Sequence, residues 1–220
     1  MEKIEEIDKR LGERYGAPRP RPRRDPLTEL VHVILSQNTN DTNRDRAFAA
    51  LRARFKDWGE VLSARPSAVA RAIQVGGLGN IKAARIKGIL KEVQGKFGRL
   101  SLNLLKDMEV EEARRLLLSF KGVGPKTAAC VLLFSLKKPA FPVDTHIYRV
   151  GKRLGLIPKG ASPERAHQVM EGMIRPERYF PLHINLINLG RELCHPRRPE
   201  CPRCPLSQLC PSAVLTPRGL

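Results

Sequence analysis

The sequence predicts an all-α fold, because its apolar residues recur at helical spacing and no segment has a convincing strand pattern. A period of about 3.6 residues places such side chains on one face of a helix, where they form a core. The stretches are Leu27, Leu30, Val31, Ile34 and Leu35; Phe48, Leu51 and Phe55; and Ile81, Ile86, Ile89, Leu90 and Val93. Residues 31–33 have some strand character, but their surroundings are helical, so His32 is predicted to lie in the core or at its boundary.

Length and composition limit the class of protein. With 220 residues, of which 41% are hydrophobic, the chain can form one sizeable domain or two small ones around a shared cleft. No apolar run approaches membrane-spanning length, and the charged N-terminal segment MEKIEEIDKR lacks the apolar run of a secretory signal. We therefore expect a soluble cytoplasmic protein without a membrane partner.

The net charge points to a polyanionic partner. Lys and Arg together number 40 against 22 Asp and Glu residues, which gives a formal charge of +18. Such an excess favours phosphate contacts that release counterions, as in nucleic-acid binding. Ribosomal and anionic-lipid-binding proteins carry a similar charge, so the specific motifs must decide between these classes.

A proline-rich segment, APRPRPRRDP at Ala17 to Pro26, separates the first predicted helix from the second. Proline fixes φ and lacks an N–H donor, so alternating proline and arginine favour an extended connection. A solvated linker is the simpler interpretation, and a dedicated DNA contact is the alternative.

A turn followed by a helix is predicted in the segment FKGVGPKTAAC, where Gly122 and Gly124 flank Val123. Glycine permits positive φ and lets the backbone approach a ligand such as a phosphate without a Cβ in the way. Pro125 suits the first helical position, where its missing N–H has no helical partner to lose. Lys126 then falls in the first turn, where the positive end of the helix dipole disfavours an ammonium and favours the neutral, nucleophilic amine.

A second junction between a loop and a helix follows at PVDTH, with Asp144 at the predicted N-cap. Taken alone, Asp144 is a capping residue and Lys126 is a solvated surface charge. Their joint occurrence at two successive helix starts favours a functional site over these separate interpretations.

The chain also contains a faint internal repeat. Residues 77–84 (GLGNIKAA) match residues 122–129 (GVGPKTAA) in the glycine pair and in the Ala-Ala pair. The lysine is displaced by one position, which is about 100° of rotation on a helix, so Lys82 and Lys126 cannot face the same way. Only one of the two can be a nucleophile.

Four of the five cysteines lie near the C-terminus with the spacing C-x6-C-x2-C-x5-C. They are Cys194, Cys201, Cys204 and Cys210. Thiolates this close in sequence can bind one inorganic centre, either zinc or an iron-sulfur cluster, whereas disulfides are rare in a reducing cytosol. Structural zinc sites usually pair C-x2-C units and only one occurs here, so the spacing favours the cluster. Cys130 is predicted to be a small buried hydrophobe.

The motif GVGPKTA followed by VDTHIYRV resembles the endonuclease III family of helix-hairpin-helix DNA glycosylases, and the resemblance covers almost the whole chain. It implies a six-helix barrel domain at residues 22–136 that contains the helix-hairpin-helix. It also implies a helical iron-sulfur cluster domain built from residues 1–21 and 137–220, with substrate in the cleft between the domains. The implied cofactor is a [4Fe-4S] cluster held by the four C-terminal cysteines.

The resemblance further implies roles for individual residues. Lys126 would be the Schiff-base nucleophile and Asp144 its assisting carboxylate. DNA contacts are implied at the hairpin and the next helix start, at a gap-filling polar residue, and at a wedge leucine that could instead be a turn-packing residue. These are Gly122, Val123, Gly124 and His146; Asn38, or its neighbour Gln37; and Leu78. Lys82, with Arg85 and Lys87, would then be phosphate contacts or solvated charge.

The function implied by the resemblance is that of a bifunctional DNA glycosylase and AP lyase in base excision repair. It would act as a monomer on oxidised pyrimidines and abasic sites in double-stranded DNA, in the cytoplasm or at a bacterial nucleoid. A monofunctional mismatch glycosylase for thymine or uracil opposite guanine stays open, as does a non-catalytic DNA-binding module with structural zinc. An adenine-specific mismatch glycosylase fits less well, because that family has a glutamate where this chain has His32 and lacks the nucleophilic lysine.

Overall fold

The computed structural model describes residues 2–19 and 22–213, and within these ranges the chain is helical with no strand. The α-helices are α1 Glu2–Tyr15, α2 Pro26–Leu35, α3 Asp41–Arg54, α4 Trp58–Ser63, α5 Pro66–Ala72, α6 Gly79–Phe97, α7 Val110–Leu118, α8 Pro125–Cys130, α9 Thr145–Arg153, α10 Pro163–Met173 and α11 Tyr179–Glu192. A π-helical turn, Val131–Ser135, continues α8, and short 3-10 turns lie at Gln74–Gly76, Asn103–Lys106, Pro176–Arg178, Cys201–Arg203 and Ser207–Leu209. The predicted all-α fold is confirmed.

Two compact units make up the chain. One is Arg23–Lys138, and the other combines Met1–Pro22 with Pro139–Leu220. The predicted ranges differ from these bounds by at most two residues. None of the helices in the described ranges is both long enough and apolar enough to cross a membrane.

Side-chain caps explain why several helices begin where they do. The carboxylate of Asp25 accepts from the Thr28 N–H at 3.0 Å, and Pro26 occupies the first position of α2. Asn40 caps α3 in the same way through the Asn43 N–H, at 2.8 Å. Such caps satisfy N–H groups that have no helical partner. The extended segment before α2 therefore ends at Asp25; Pro20 and Arg21 of this segment lie outside the described residues.

The core of the Arg23–Lys138 unit uses the predicted apolar faces, with two exceptions. All five apolar residues predicted in α2 are fully buried, and His32 is buried with them, as expected. Phe48 is only half-buried, because its ring packs beside His32 and beneath Arg24 at the edge of the core. Ile81 is 55% exposed, so its assignment to the core was wrong.

The other unit joins the N-terminal helix to the C-terminal part of the chain. Helix α1 packs against α11, and the Arg178 guanidinium forms an ion pair with Asp8 at 2.6 Å. Lys3 donates to the Leu154 carbonyl at 2.6 Å, which ties α1 to the end of α9. Because α1 contributes Ile7 and Leu11 to this core as fully buried residues, it is an integral part of the unit.

Candidate active site

The predicted hairpin lies between α7 and α8. Phe120 and Val123 are buried, and the Val123 N–H donates to the Phe120 carbonyl at 3.0 Å, which closes the turn. Gly122 has φ +85, a conformation that L side chains rarely adopt. A Cβ there would also lie 2.6 Å from Arg85 Nε. The positive φ therefore favours glycine at this position, and a larger residue would also displace the Arg85 side chain.

Gly124 has a different role from the one expected. Its φ of −98 and ψ of 179 are extended values that any residue adopts, so the expectation of positive φ holds for Gly122 alone. An added Cβ at Gly124 would meet nothing within 4 Å. Glycine here keeps the exposed start of α8 open to an approaching group.

The hairpin leaves a set of backbone donors available. Within the described residues no hydrogen bond engages the N–H groups of Gly122, Gly124, Lys126 or Thr127. The two glycines are exposed. Unpaired N–H groups at a turn and a helix start are the donors that bind phosphate in proteins.

Lys126 is the second residue of α8 and is half-buried. The next three residues are buried, and they fix this end of the helix. In the described part of the chain no hydrogen bond or ion pair engages the Lys126 amine. An amine without an internal partner is available to a ligand.

Asp144 caps α9, as the sequence predicted. Its Oδ1 accepts from the Ile147 N–H at 2.8 Å, and its backbone is extended. The second carboxylate oxygen has no partner among the described residues, so the cap leaves one oxygen for other interactions. Capping and a functional role are thus compatible in one side chain.

Buried histidines hold the loop that leads to Asp144. The His183 Nδ1–H donates to the Pro142 carbonyl at 2.9 Å, since a carbonyl can only accept. His167 Nδ1 lies 3.0 Å from the Phe141 carbonyl, and Glu171 accepts from the Phe141 N–H at 2.8 Å. These contacts position the loop through its peptide groups.

His146 is half-buried and packs closely against α11. A Cβ at Gly190 would lie 2.8 Å from its Cβ, so glycine is required on the facing helix. The Arg149 guanidinium lies 3.1 Å from His146 Nδ1, and because arginine only donates, Nδ1 accepts.

The loop after α2 separates the roles of Gln37 and Asn38. The Gln37 side chain is half-buried and accepts from the Arg85 guanidinium. Asn38 is exposed, has φ 51 and has no side-chain partner among the described residues. Of these two residues, only Asn38 therefore has an exposed polar side chain without a hydrogen-bond partner among the described residues.

Leu78, in the turn before α6, resembles Asn38 in being exposed and in having a left-handed backbone. It is 47% exposed with φ 52, which is unusual for a leucine. The alternative reading of Leu78 as a turn-packing residue is therefore not supported. An exposed apolar side chain on a left-handed backbone is a feature that structures tend to keep at functional sites.

Three of the basic residues of α6, Lys82, Arg85 and Lys87, make hydrogen bonds inside the protein, whereas the sequence suggested phosphate contacts or solvated charge. Lys82 is 1% exposed and donates to two carbonyls, and burial lowers its pKa. Lys87 donates to carbonyls at the end of α4, including Ala64 O at 2.7 Å. Arg85 bridges Gln37 and the turn at Gly122. These roles depend on tertiary contacts, and no local pattern in the sequence signals them.

The four C-terminal cysteines are half-buried and near one another, whereas Cys130 is buried, as predicted. Burial, and then the charges of the neighbouring cysteines, raise the pKa of the Cys204 thiol. The pKa of Cys210 is raised by the same two causes in the same order. A positive centre would remove this repulsion, because a bound metal stabilises thiolates.

Arg153 contacts the group of four C-terminal cysteines, and no motif in the sequence predicted this contact. Its guanidinium donates to Cys194 Sγ at 3.2 Å and to the His195 carbonyl at 2.6 Å. No three His, Cys, Asp or Glu side chains in the described residues meet closely enough to hold a single metal ion. A [4Fe-4S] cluster makes a different demand, since each of its thiolates binds a separate iron. The donor set of four thiols with an adjacent guanidinium fits that group.

Comparison with known proteins agrees with this arrangement. The family described as HhH-GPD superfamily base excision DNA repair protein matches residues 31–176. A protein of Arabidopsis thaliana named for DNA glycosylase activity is 44% identical over 165 residues, which is 75% of this chain. This chain spans only 56% of that plant protein. Endonuclease III of Thermotoga maritima is 31% identical over 207 residues, with 94% of this chain and 92% of that protein covered.

A solved structure extends the likeness to three dimensions. The trapped covalent intermediate of an endonuclease III with DNA, an estranged-adenine complex, matches with a TM-score of 0.81 and 26% identity. The match covers 96% of this chain and 95% of that one. The chain belongs to the HhH-GPD superfamily of base excision DNA repair proteins and, within it, to the endonuclease III-like helix-hairpin-helix DNA glycosylases.

Proposed function

We propose that this protein is a bifunctional DNA glycosylase and AP lyase that excises oxidised pyrimidines from double-stranded DNA and nicks abasic sites. The observation that carries the proposal is the Lys126 amine in the first turn of α8, directly after the hairpin; neither this amine nor the hairpin N–H groups of Gly122 and Gly124 have a partner among the described residues. A monofunctional glycosylase needs no amine at this position, because water can displace the base.

The reaction requires that the damaged nucleotide leaves the helix. The glycosidic carbon is inaccessible inside stacked DNA, so the nucleotide must rotate into a pocket. Phosphates beside it would accept from the exposed N–H groups of Gly122 and Gly124. Leu78 would act as the wedge. Asn38 would fill the gap, because the side chain of Gln37 is already bound by Arg85.

Lys126 would carry the covalent chemistry. Its neutral amine attacks C1′ of the sugar, the glycosidic bond breaks, and the base leaves with the bonding electron pair. One proton then passes from Nζ to O4′ as the C1′–O4′ bond breaks, which opens the sugar ring and gives a protonated Schiff base between Nζ and C1′. Loss of a proton from C2′ then breaks the C3′–O bond, and the phosphate leaves with that electron pair.

Asp144 would supply the negative charge that this reaction needs. Positive charge develops on the sugar as the base departs, and a fixed carboxylate stabilises it. The cap to the Ile147 N–H holds the carboxylate through Oδ1 and leaves the other oxygen for this task. The cap thus contributes to orientation.

The four C-terminal cysteines would hold a [4Fe-4S] cluster, which supplies architecture when bound. The loop from Cys194 to Cys201 contains His195, Arg197 and Arg198, so an ordered loop presents positive charge to DNA. Cys204→Ala is expected to lose iron and to fold poorly, because metal binding and folding are coupled. Cys130→Ala is the matched control, and iron content by mass spectrometry is the measurement. Full iron in Cys204→Ala, or zinc in the wild-type protein, would contradict the assignment.

Borohydride trapping tests the nucleophile. Reduction of the Schiff base during reaction with an abasic duplex should join protein to DNA, and peptide mapping should locate the adduct on Lys126. Lys126→Gln should lose trapping by a factor of about 10³ or more, with DNA affinity nearly unchanged. Lys106→Gln is the matched control, since Lys106 is an exposed lysine outside the hairpin.

Two outcomes would count against the proposed chemistry. Trapping that survives Lys126→Gln would place the nucleophile elsewhere, and wild-type base release without any trapping would favour a monofunctional glycosylase. Asp144→Asn keeps an oxygen for the cap, so it should lose base excision while its melting temperature changes little. An unfolded Asp144→Asn protein would reduce Asp144 to a structural cap.

A further inference from the structure

The buried Lys82 connects two turns of the Arg23–Lys138 unit. Its Nζ donates to the Leu35 carbonyl at 2.8 Å and to the Gly76 carbonyl at 2.8 Å. Leu35 is the last residue of α2, and Gly76 ends the 3-10 turn that precedes α6. One side chain on α6 therefore holds two segments that are distant in sequence.

Each of these segments continues into an exposed residue with a left-handed backbone. Asn38, with φ 51, lies three residues after Leu35, and Leu78, with φ 52, lies two residues after Gly76. A left-handed backbone is uncommon for residues other than glycine and is strained for a leucine, so it persists where the surroundings impose it. Lys82 supplies such a constraint to both turns at once.

Close packing restricts the turn at residues 76–79, which carries Leu78. A Cβ on Gly76 would lie 3.1 Å from the Ala47 Cβ, and a Cβ on Gly79 would lie 2.9 Å from the Ala70 carbonyl oxygen. The turn is thus packed against α3 and α5, and Lys82 donates to its Gly76 carbonyl. On the same helix, Arg85 holds Gln37 beside Asn38.

We propose that Lys82 is a positioning residue that ties the Asn38 turn to the Leu78 turn, so that the two side chains enter the DNA duplex as one rigid pair. This inference rests on the proposed function, because it takes Asn38 and Leu78 as the residues that enter the duplex. Lysine suits the role, since a compact ammonium can donate to two carbonyls from a buried site. Methionine at this position would have nearly the same volume and would leave both carbonyls unpaired.

The test uses full-length, iron-loaded protein and a duplex that contains a tetrahydrofuran abasic analogue beside 2-aminopurine. The analogue cannot react with an amine, so the measurement does not depend on the lyase chemistry. Fluorescence of 2-aminopurine rises when the stack beside it opens, and anisotropy of a labelled duplex measures binding separately. Wild-type protein should bind and raise the fluorescence.

Lys82→Met should bind the duplex with affinity within about threefold of wild type and give a fluorescence rise smaller by on the order of fivefold. Lys87→Met is the matched control, because Lys87 is also an α6 lysine bonded to carbonyls, but its partners lie at the end of α4. It should reproduce the wild-type fluorescence rise. Circular dichroism and iron content verify folding of both variants.

Lys82→Gln covers the case in which the methionine variant does not fold. Its shorter side chain keeps N–H donors but cannot reach both carbonyls, so the fluorescence rise should again fall while binding persists. A wild-type rise in a folded Lys82 variant would overturn the inference, and so would an equal loss in Lys87→Met. Wild-type protein that binds without any rise would overturn it as well, because the pair would not enter the duplex. Failure of borohydride trapping alone would count against the lyase assignment and leave this inference standing.

Discussion

His32 is a buried titratable residue in α2 that the proposed chemistry does not use. Its Nε2 lies 3.0 Å from Asp45 Oδ1, and its ring meets Phe48 edge to face. Burial lowers the pKa of His32 from 6.5 to about 4, even though Asp45 opposes this shift. Hydrogen bonds from Arg44 and His32 lower the pKa of Asp45 to about 2, with Arg44 the larger cause.

The lowered pKa of His32 predicts acid sensitivity. As the pH falls below 6.5 the unfolded chain takes up a proton at this residue while the folded protein stays neutral until about pH 4. The free energy of unfolding should therefore be unaffected above pH 6.5 and should fall by about 2 kcal/mol from this residue by pH 5. Urea denaturation at pH 7.5 and pH 5 of wild type and His32→Gln isolates the contribution. Equal losses in the two proteins would show that His32 does not titrate in this way.

At the scale of elements, two glycine turns open two helices, α6 and α8, with different demands on the backbone. The first glycine of each pair, Gly77 or Gly122, has positive φ, at +70 and +85. The second glycine of each pair lies at the helix start: Gly79 is the first residue of α6, and Gly124 directly precedes α8. Gly79 is in close contact with Ala70, while Gly124 faces open space. The repeat seen in the sequence thus repeats the positive φ of its first glycine only, because Leu78 has a left-handed backbone and Val123 does not.

This contrast predicts opposite effects for two alanine substitutions in one turn. Gly122→Ala should cost about 1–2 kcal/mol, because it strains the backbone and pushes on Arg85. Gly124→Ala should change stability by less than about 0.5 kcal/mol and should weaken DNA binding by about tenfold where its Cβ blocks a phosphate. Thermal denaturation and fluorescence anisotropy measure the two effects. A destabilised Gly124→Ala protein, or one with unchanged affinity, would contradict the open phosphate site.

The molecule carries a formal net charge of +18, which favours binding to a polyanion such as DNA. Several cations are already engaged inside the protein, as with Lys82 on its two carbonyls and Arg178 on Asp8. A buried cation such as Lys82, which is 1% exposed, adds to the long-range field but cannot contact a phosphate directly. The number of phosphate contacts should therefore be much smaller than the net charge suggests.

The salt dependence of DNA affinity measures that number. With about six phosphate contacts, affinity should fall by on the order of 10³ between 50 and 200 mM salt. A logarithmic plot of affinity against salt should lose about one unit of slope for each contact removed. The exposed Lys121 is one candidate phosphate contact, and Lys121→Gln tests it. Lys87→Gln is the control, and its slope of affinity against salt should match that of the wild type. An affinity independent of salt would rule out a phosphate-dominated interface.

Features that depend on neighbouring residues could be predicted from the amino-acid sequence alone. Asp144 was predicted as a cap because a carboxylate can reach an N–H three residues ahead, and the distance of 2.8 Å to Ile147 N confirms it. The helical faces of α2 and the start of α8 at Pro125 follow equally from local sterics and periodicity. The cysteine spacing likewise predicted four neighbouring thiols, because short connections limit how far apart they can lie.

The different roles of chemically similar side chains follow from long-range contacts, which the sequence does not show. Lys82 and Lys126 stand in similar turn contexts, yet one bonds two buried carbonyls and the other has no partner among the described residues. Gln37 and Asn38 are adjacent and chemically alike, but Arg85, 48 positions from Gln37, engages only the glutamine. Ile81 fits the helical period of the core and is nevertheless exposed. Each outcome depends on contacts between segments far apart in the chain, and local periodicity carries no information about such contacts.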